Sequence, residues 1–512
     1  MHAEPQPPAR GRRSAEEVGA RAAAWPWLLG HALLFLGLYQ VGYTPAEWAE
    51  IRPRVAQQGN LGVAATYRTV GALGLLRAYY RTGDDERLYR EYAELTLHGR
   101  ADFDYLTHKH GAPVTVPRGI RPWPYRDVLL EYPPFALVLG MLPPALFGSS
   151  YVSYRFFIAL YLLAIHVLNL SLASRLAAGP RAAPTAQRAV FVRLLRASLA
   201  FCFCLGGLVA TRMDHVVTAL MLVTVLCVER SLPAPSRVAL RWAALAGVCA
   251  GVGVMTKIVP VLAIPAAIIA YWLSRRIDRA TLIAAHAGSA ALLVSAVHLG
   301  CVWLLGDGYL AAYRYHAARG LQIETSYGGL LLIAHALGSP LQVVLSYGSA
   351  NLASPLADAC AKAAPVIFAL VASALLVAAV RSRSGRPASW LGILLCAFVL
   401  TNKVFSPQYL LWLAPFAWIA MARDRSRAGG VLLLAAALSQ VLYPRAYQAL
   451  QHFAPGMVLV LNLRNALVLY LLVILVRSAL RGAGQQAFAP MRGGPGVVYD
   501  RSRSPLQADA KD

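Results

Sequence analysis

A chain of 512 residues that is 58% hydrophobic and only 14% charged falls well short of the roughly 25% charged residues usual in a soluble domain. Its formal net charge of +24 sits mostly in short loops between apolar runs, as expected of membrane retention beside anionic lipid and not of nucleic-acid binding. The composition excludes a string of soluble domains and predicts an all-α polytopic membrane bundle with extramembrane pieces.

In chain order, residues 1–24 are rich in Arg, Ala and Pro without a periodic apolar face, and read as a disordered basic N-terminus. The apolar stretch 25–43 is long for a signal peptide and has no small-x-small cleavage site after it, so it reads as an uncleaved first helix. Further spans are predicted at roughly 151–172, 189–211, 215–229, 239–256, 258–274, 280–304, 363–380, 388–402, 408–422, 428–443 and 460–477, about twelve in all. An even number puts both termini on one side, and Arg10, Arg12 and Arg13 make that side cytoplasmic. Short loops carrying Arg275, Arg276 and Arg279, or Arg381, Arg383 and Arg386, agree with this orientation in a cell membrane.

The long segment 44–150 then lies outside the cell. Within it, FALVLGMLPPALFG (135–148) is too short to span and is broken by Pro-Pro, so it is expected as a juxtamembrane or re-entrant helix. Residues 325–362 resist assignment as span or loop. The chain beyond 477 is expected as a disordered cytoplasmic tail. Five cysteines fall inside spans as small core residues; Cys301 and Cys360, near outer span ends, are a candidate disulfide pair.

With this topology, ionisable residues gather at the outer ends of the helices, where charge is expensive and marks function by default. They are Asp84 and Asp85 in GDDERLY; Tyr125, Asp127, Glu131 and Tyr132 in YRDVLLEYPPF; Arg212 and Asp214 in TRMDH; and Lys257 in TKIVP. YHAARGLQIETS adds His316, Arg319 and Glu324, NKVFSPQY adds Lys403, Gln408 and Tyr409, and Arg464 sits inside the last span. Each has a plain reading: solvated loop carboxylates at 84 and 85, an Arg212–Asp214 pair, a Lys257 that snorkels to the interface, a loop histidine at 316. Together they fit a different chemistry. A carboxylate can take the proton of an acceptor hydroxyl, while Arg and Lys neutralise a departing phosphate.

These motifs resemble the C-type membrane glycosyltransferases. D-x-x-L-Y (85–89), YRD…EYPP, R-x-D, K-x-x-P (257–260), RGLQIE and KVFSPQYLLWL are similar to glycosyltransferase family 87, the polyprenyl-phosphate-mannose-dependent alpha-(1→2)-mannosyltransferases. The resemblance runs from the first helix to about residue 477. It implies inverting transfer of a hexose, mannose by preference, from a polyprenyl-phosphate sugar to an envelope lipid or glycan acceptor at the extracytoplasmic face. By the same resemblance the catalytic acid is Asp85, with Asp84 and Glu131 as neighbours, and the spacing of 44–82 leaves Glu47 and Glu50 as rivals. His316 and Arg319, with Lys257, Lys403 and Arg212, are expected at the donor phosphate. Tyr125, Tyr132, Asp214, Glu324, Gln408 and Tyr409 are expected at the substrate.

The motifs require no cofactor. No clustered His/Cys ligand set is visible in the sequence, and Asp84-Asp85 is not D-x-D, although a divalent ion bridging phosphate and carboxylates stays open. Two other readings also stay open: a transporter or lipid-linked sugar flippase, and a lipid-pyrophosphate-dependent oligosaccharide ligase or polymerase. Charges at helix ends rather than on broken mid-membrane helices disfavour the first.

Overall fold

The structure is a computed structural model that describes residues 23–36, 85–110, 121–148, 150–179, 182–274 and 276–487. Asp84, Glu47 and Glu50, the segment 44–82 and most of both expected tails lie outside the described residues.

The described chain is helical apart from one small sheet. Helix α1 spans Ala23–Leu36; α2, Asp85–His98; α3, Phe103–His110; and α4, Pro134–Ala145. Then come α5 (Tyr151–Ala178), α6 (Pro184–Leu205), α7 (Asp214–Ser231) and α8 (Ser236–Val254), followed by α9 (Val259–Leu273), α10 (Arg279–Leu305), α11 (Asp307–Ala318) and α12 (Ser326–Ala336). The last group is α13 (Pro355–Arg381), α14 (Pro387–Thr401), α15 (Leu410–Asp424), α16 (Ala428–Gln440), α17 (Tyr447–Gln451) and α18 (Pro455–Ala487). Strands β1 (Leu321–Gln322), β2 (Gln342–Ser346) and β3 (Ser349–Ala353) form an antiparallel sheet in the order β1-β3-β2. Helix α12, strands β2 and β3 and the start of α13 occupy the 325–362 region that the sequence left unassigned.

Among the described residues six helices are long and apolar enough to cross a membrane: 153–178, 236–254, 279–305, 355–381, 428–445 and 455–481. Five shorter apolar helices accompany them, including α1, α4 and α9. The protein is therefore a multi-pass membrane protein. Three further expected spans are helices that fall outside both groups by length or charge. Helix α6 carries Arg188, Arg193 and Arg196, α7 carries Asp214, Glu229 and Arg230, and α15 has only 15 residues with Pro415 inside. Helices α10 and α13 leave leucines and valines such as Leu292, Leu299, Val366 and Leu370 uncovered, the surface that hydrocarbon would solvate. The segment expected as a short membrane-surface helix is α4, which contains a π turn at Leu137–Met141 and packs on α2 and α5.

Local chemistry explains where the helices start. Ser150 accepts from Ser153 N at the head of α5, Ser354 from Ala357 N at the head of α13, and Thr325 from Gly328 N at the head of α12; each satisfies an amide that the helix leaves orphaned. Gly308 in α11 marks a close approach: a Cβ there would lie 2.0 Å from Tyr125 O. That contact seats α11 on the 121–133 segment. The closing helix runs to Ala487, past the boundary at 477 read from the sequence. All seven cysteines are free thiols, so Cys301 and Cys360 are not a disulfide pair.

Candidate active site

Three breaks between consecutive helices build the site. Between α6 and α7 the chain passes Gly206 at φ +67°, a short turn at Leu208–Thr211, and an extended Arg212. Between α8 and α9 it passes Lys257, and α9 opens with a 3-10 turn at Val259–Leu262 containing Pro260. Between α14 and α15 it runs through residues 402–406 into a 3-10 turn at Pro407–Tyr409. The segment linking α11 to α12 joins them, since Gln322 N donates to Lys403 O (3.0 Å).

The first two breaks meet through charge. Lys257 Nζ donates to Asp214 Oδ1 at 2.8 Å, and Asp214 is fully buried. Lys257 does not snorkel; its ammonium sits over the rings of Trp412 (5.0 Å), Tyr409 (5.7 Å) and Tyr132 (5.9 Å), a cation–π cage. Arg212 pairs with Asp85, the first residue of α2, and not with Asp214 two residues away. Arg212 and Asp214 flank the buried Met213 and hold opposite charges in two different segments.

The 121–133 segment closes over this network. Tyr125 takes φ +65°, a left-handed conformation unusual for a tyrosine, and its hydroxyl donates to Tyr132 O at 2.6 Å. His316 Nε2 donates to Glu131 O at 2.5 Å, which leaves Nδ1 as an acceptor. Surrounding protein atoms hold His316 below its ordinary pKa, so the ring is neutral at neutral pH. The Tyr315 hydroxyl lies against the Glu131 carboxylate, and burial followed by that charge keeps it protonated. Tyr409 stacks on Trp412 at 4.1 Å, and Gln408 is buried in the adjoining turn.

Arg319 follows the end of α11, three residues after His316, and Lys403 reaches it from the link between α14 and α15. Lys403 Nζ donates to Ala317 O and Arg319 O, both at 2.8 Å, so it clasps the end of the helix and keeps one N–H free of these contacts. Burial, then the neighbouring Arg319 charge, lowers its pKa. Arg319 donates to Ser349 Oγ (3.1 Å) while its buried Nε has no partner. Both residues line an open cleft of about 600 Å³. Its walls are Ala361, Ala364, Pro365 and Phe368 of α13 and Phe398 of α14, and Lys362 and Asp358 stand at its charged end. Sequence reasoning missed Lys362 and Asp358. Their i, i+4 spacing at the start of an apolar helix was the available signal.

Beneath the α11–α12 turn, Gln322 Nε2 donates to Glu324 Oε2 (2.9 Å), Arg464 to Glu324 O (2.7 Å) and Asn465 Nδ2 to Thr325 O (3.2 Å). Arg464 is fully buried with its guanidinium 3.8 Å from the Phe405 ring centroid. Burial lifts the Glu324 carboxyl to about 7 against the downward pull of Arg464. Glu324 therefore lies under the site as a support.

One end of the bundle thus unites carboxylates, cations and aromatic rings beside an apolar cleft. A family model described as Glycosyltransferase family 87 matches residues 130–407, more than half of the chain. The chain belongs to glycosyltransferase family 87. No curated protein and no solved structure matches it. The family match covers Glu131, Arg212, Asp214, Lys257, His316, Arg319, Glu324 and Lys403, and lies between Asp85 and the Gln408–Tyr409 pair. Membership makes this protein a membrane glycosyltransferase.

Proposed function

We propose that the protein transfers a hexose, with mannose expected, from a polyprenyl-phosphate sugar to a lipid or glycan acceptor at the extracytoplasmic face of the cell membrane. The observation that carries this reading is the cleft, in which Arg319, Lys362 and Lys403 stand at one end of an apolar wall formed by α13 and α14. A phosphate with a long isoprenoid tail needs both halves: cations for the headgroup and a lipid-accessible groove for the chain.

The chemistry is a single displacement with inversion. The acceptor oxygen bonds to the anomeric carbon as the sugar–phosphate C–O bond breaks, and the leaving pair goes to the phosphate. Asp85 takes the acceptor proton, held in orientation by Arg212 at the N-terminus of α2. Arg319, Lys362 and the spare N–H of Lys403 meet the charge that grows on the phosphate. Glu131 and His316 Nδ1 orient the acceptor, and the rings around Lys257 supply a flat wall for a sugar.

Initial-rate assays with labelled polyprenyl-phosphate mannose in proteoliposomes test this. Asp85→Asn is expected to lower kcat by about 100- to 10,000-fold, the range for loss of a general base, with donor KM little changed. Glu131→Gln is expected to act mainly on acceptor KM. Near-normal kcat in Asp85→Asn with a collapsed kcat in Glu131→Gln would move the base to Glu131. Transfer from a nucleotide sugar without a lipid-linked intermediate would remove the donor proposal.

A further inference from the structure

Away from the cleft, a second polar cluster lies sealed in the bundle. His31 of α1, His166 of α5 and Cys202 of α6 place one donor atom each within 4.8 Å of the others, and all three are buried. They are 135 and 36 residues apart in turn, which is why the sequence showed no ligand set. His31 Nδ1 donates to Trp27 O at 2.7 Å, fixing the tautomer in which Nε2 carries the lone pair. A ring N–H held by a backbone carbonyl is the usual outer support of a metal-bound imidazole. His166 Nε2 and Cys202 Sγ are 3.7 Å apart, close to the edge expected for one nitrogen and one sulfur about 2.0 and 2.3 Å from a shared ion. The fourth member is Ser198, whose hydroxyl lies 2.7 Å from His166 Nε2 and 3.3 Å from His31 Nε2.

We infer that His31, His166 and Cys202 form a closed site for a soft transition-metal ion, Cu+, that fastens the first helix to the bundle. Ligand type and charge select the ion together. Two imidazoles and a thiolate suit Cu+ and Zn2+, and Cu+ with one thiolate is neutral, whereas Zn2+ would leave a positive charge in an apolar interior, at high cost. On binding, the Cu–S bond forms as the thiol proton leaves to solvent, and no electron is transferred. The site has no open face, so its work is structural. It holds α1, from which the chain continues towards Asp85.

The competing arrangement is a plain hydrogen-bond hub centred on Ser198. The two differ in which variants matter. The full-length protein in detergent, with Cys227 and Cys249 replaced by serine because those neighbouring thiols could take copper themselves, is titrated with Cu+ buffered by bathocuproine disulfonate. One equivalent should bind and raise the thermal midpoint. Cys202→Ser and His166→Ala should each reduce binding below a tenth of an equivalent and abolish the thermal shift, while Ser198→Ala keeps both. Cys202→Ser is nearly isosteric, so folding is checked by its elution profile in size-exclusion chromatography. No stoichiometric Cu+ in the parent, or full binding in Cys202→Ser, would overturn the site. Displacement of Cu+ by an equal free concentration of Zn2+ would overturn the choice of ion.

Discussion

Replacing Lys257 with methionine keeps the stem that packs under the aromatic rings and removes the charge facing Asp214. The two charges are 2.8 Å apart and Asp214 has no exposure to water. At an effective dielectric of about 20 their gross attraction is about 6 kcal/mol. What is lost on breaking such a pair is the uncompensated burial of the survivor, about 3–5 kcal/mol. Asp214 Oδ2 has no other partner, so nothing nearby replaces the ammonium. Lys257→Met should therefore lower the unfolding free energy by about 3–5 kcal/mol. Asp214→Asn should be milder, about 1–2 kcal/mol, because the Lys257 side chain keeps 15% exposure and can reach water. The double variant should recover at least half of the Lys257→Met loss. Unfolding in mixed micelles of rising SDS fraction, followed by tryptophan fluorescence, measures all three. Equal losses in the single variants, or a double variant no better than Lys257→Met, would refute the claim that a stranded Asp214 charge dominates.

Glu324 predicts a pH dependence. Its folded pKa, near 7, lies above the ordinary 4.5, so between those values the folded state holds a proton that the unfolded state has released. Stability should fall as pH rises across that window, by at most roughly 3 kcal/mol, and Glu324→Gln should flatten the slope in unfolding titrations. Arg464→Met removes the opposing charge and the bond to Glu324 O; it should destabilise by about 2–4 kcal/mol and move the same window upward. Lys362→Ala should raise donor KM about tenfold, equivalent to about 1.4 kcal/mol, with kcat within a factor of about three. An unchanged KM would take Lys362 out of phosphate binding.

The class of the fold was more legible in the sequence than the wiring of the candidate site. The apolar runs marked a membrane bundle because hydrocarbon solvation is a property of composition, legible without contacts. The polar motifs at 131–134, 212–214, 257–260, 319–324 and 403–409 stood out because charge beside a span is costly wherever it lies. Pairing depends on which side of a turn each side chain leaves, and that was hidden. Arg212 and Asp214 looked like partners and each chose another segment; Lys257 looked like a snorkelling lysine and is caged. Lys362 reads as an ordinary helix-start residue until α13 is laid against α11 and α14. His31, His166 and Cys202 share no spacing at all, because three separate helices bring them together.

The hold of Arg464 and Asn465 on the backbone of Glu324 and Thr325 bears on how the enzyme is made. A ribosome delivers the chain from its N-terminus, so the turn carrying Arg319 and Gln322 enters the membrane about 140 residues before its anchor. Until α18 inserts, the cradle beneath the cleft is unfastened. The support of this turn is thus completed late in synthesis, and a chain terminated before α18 that retains every residue lining the cleft would lack the helix that holds the turn.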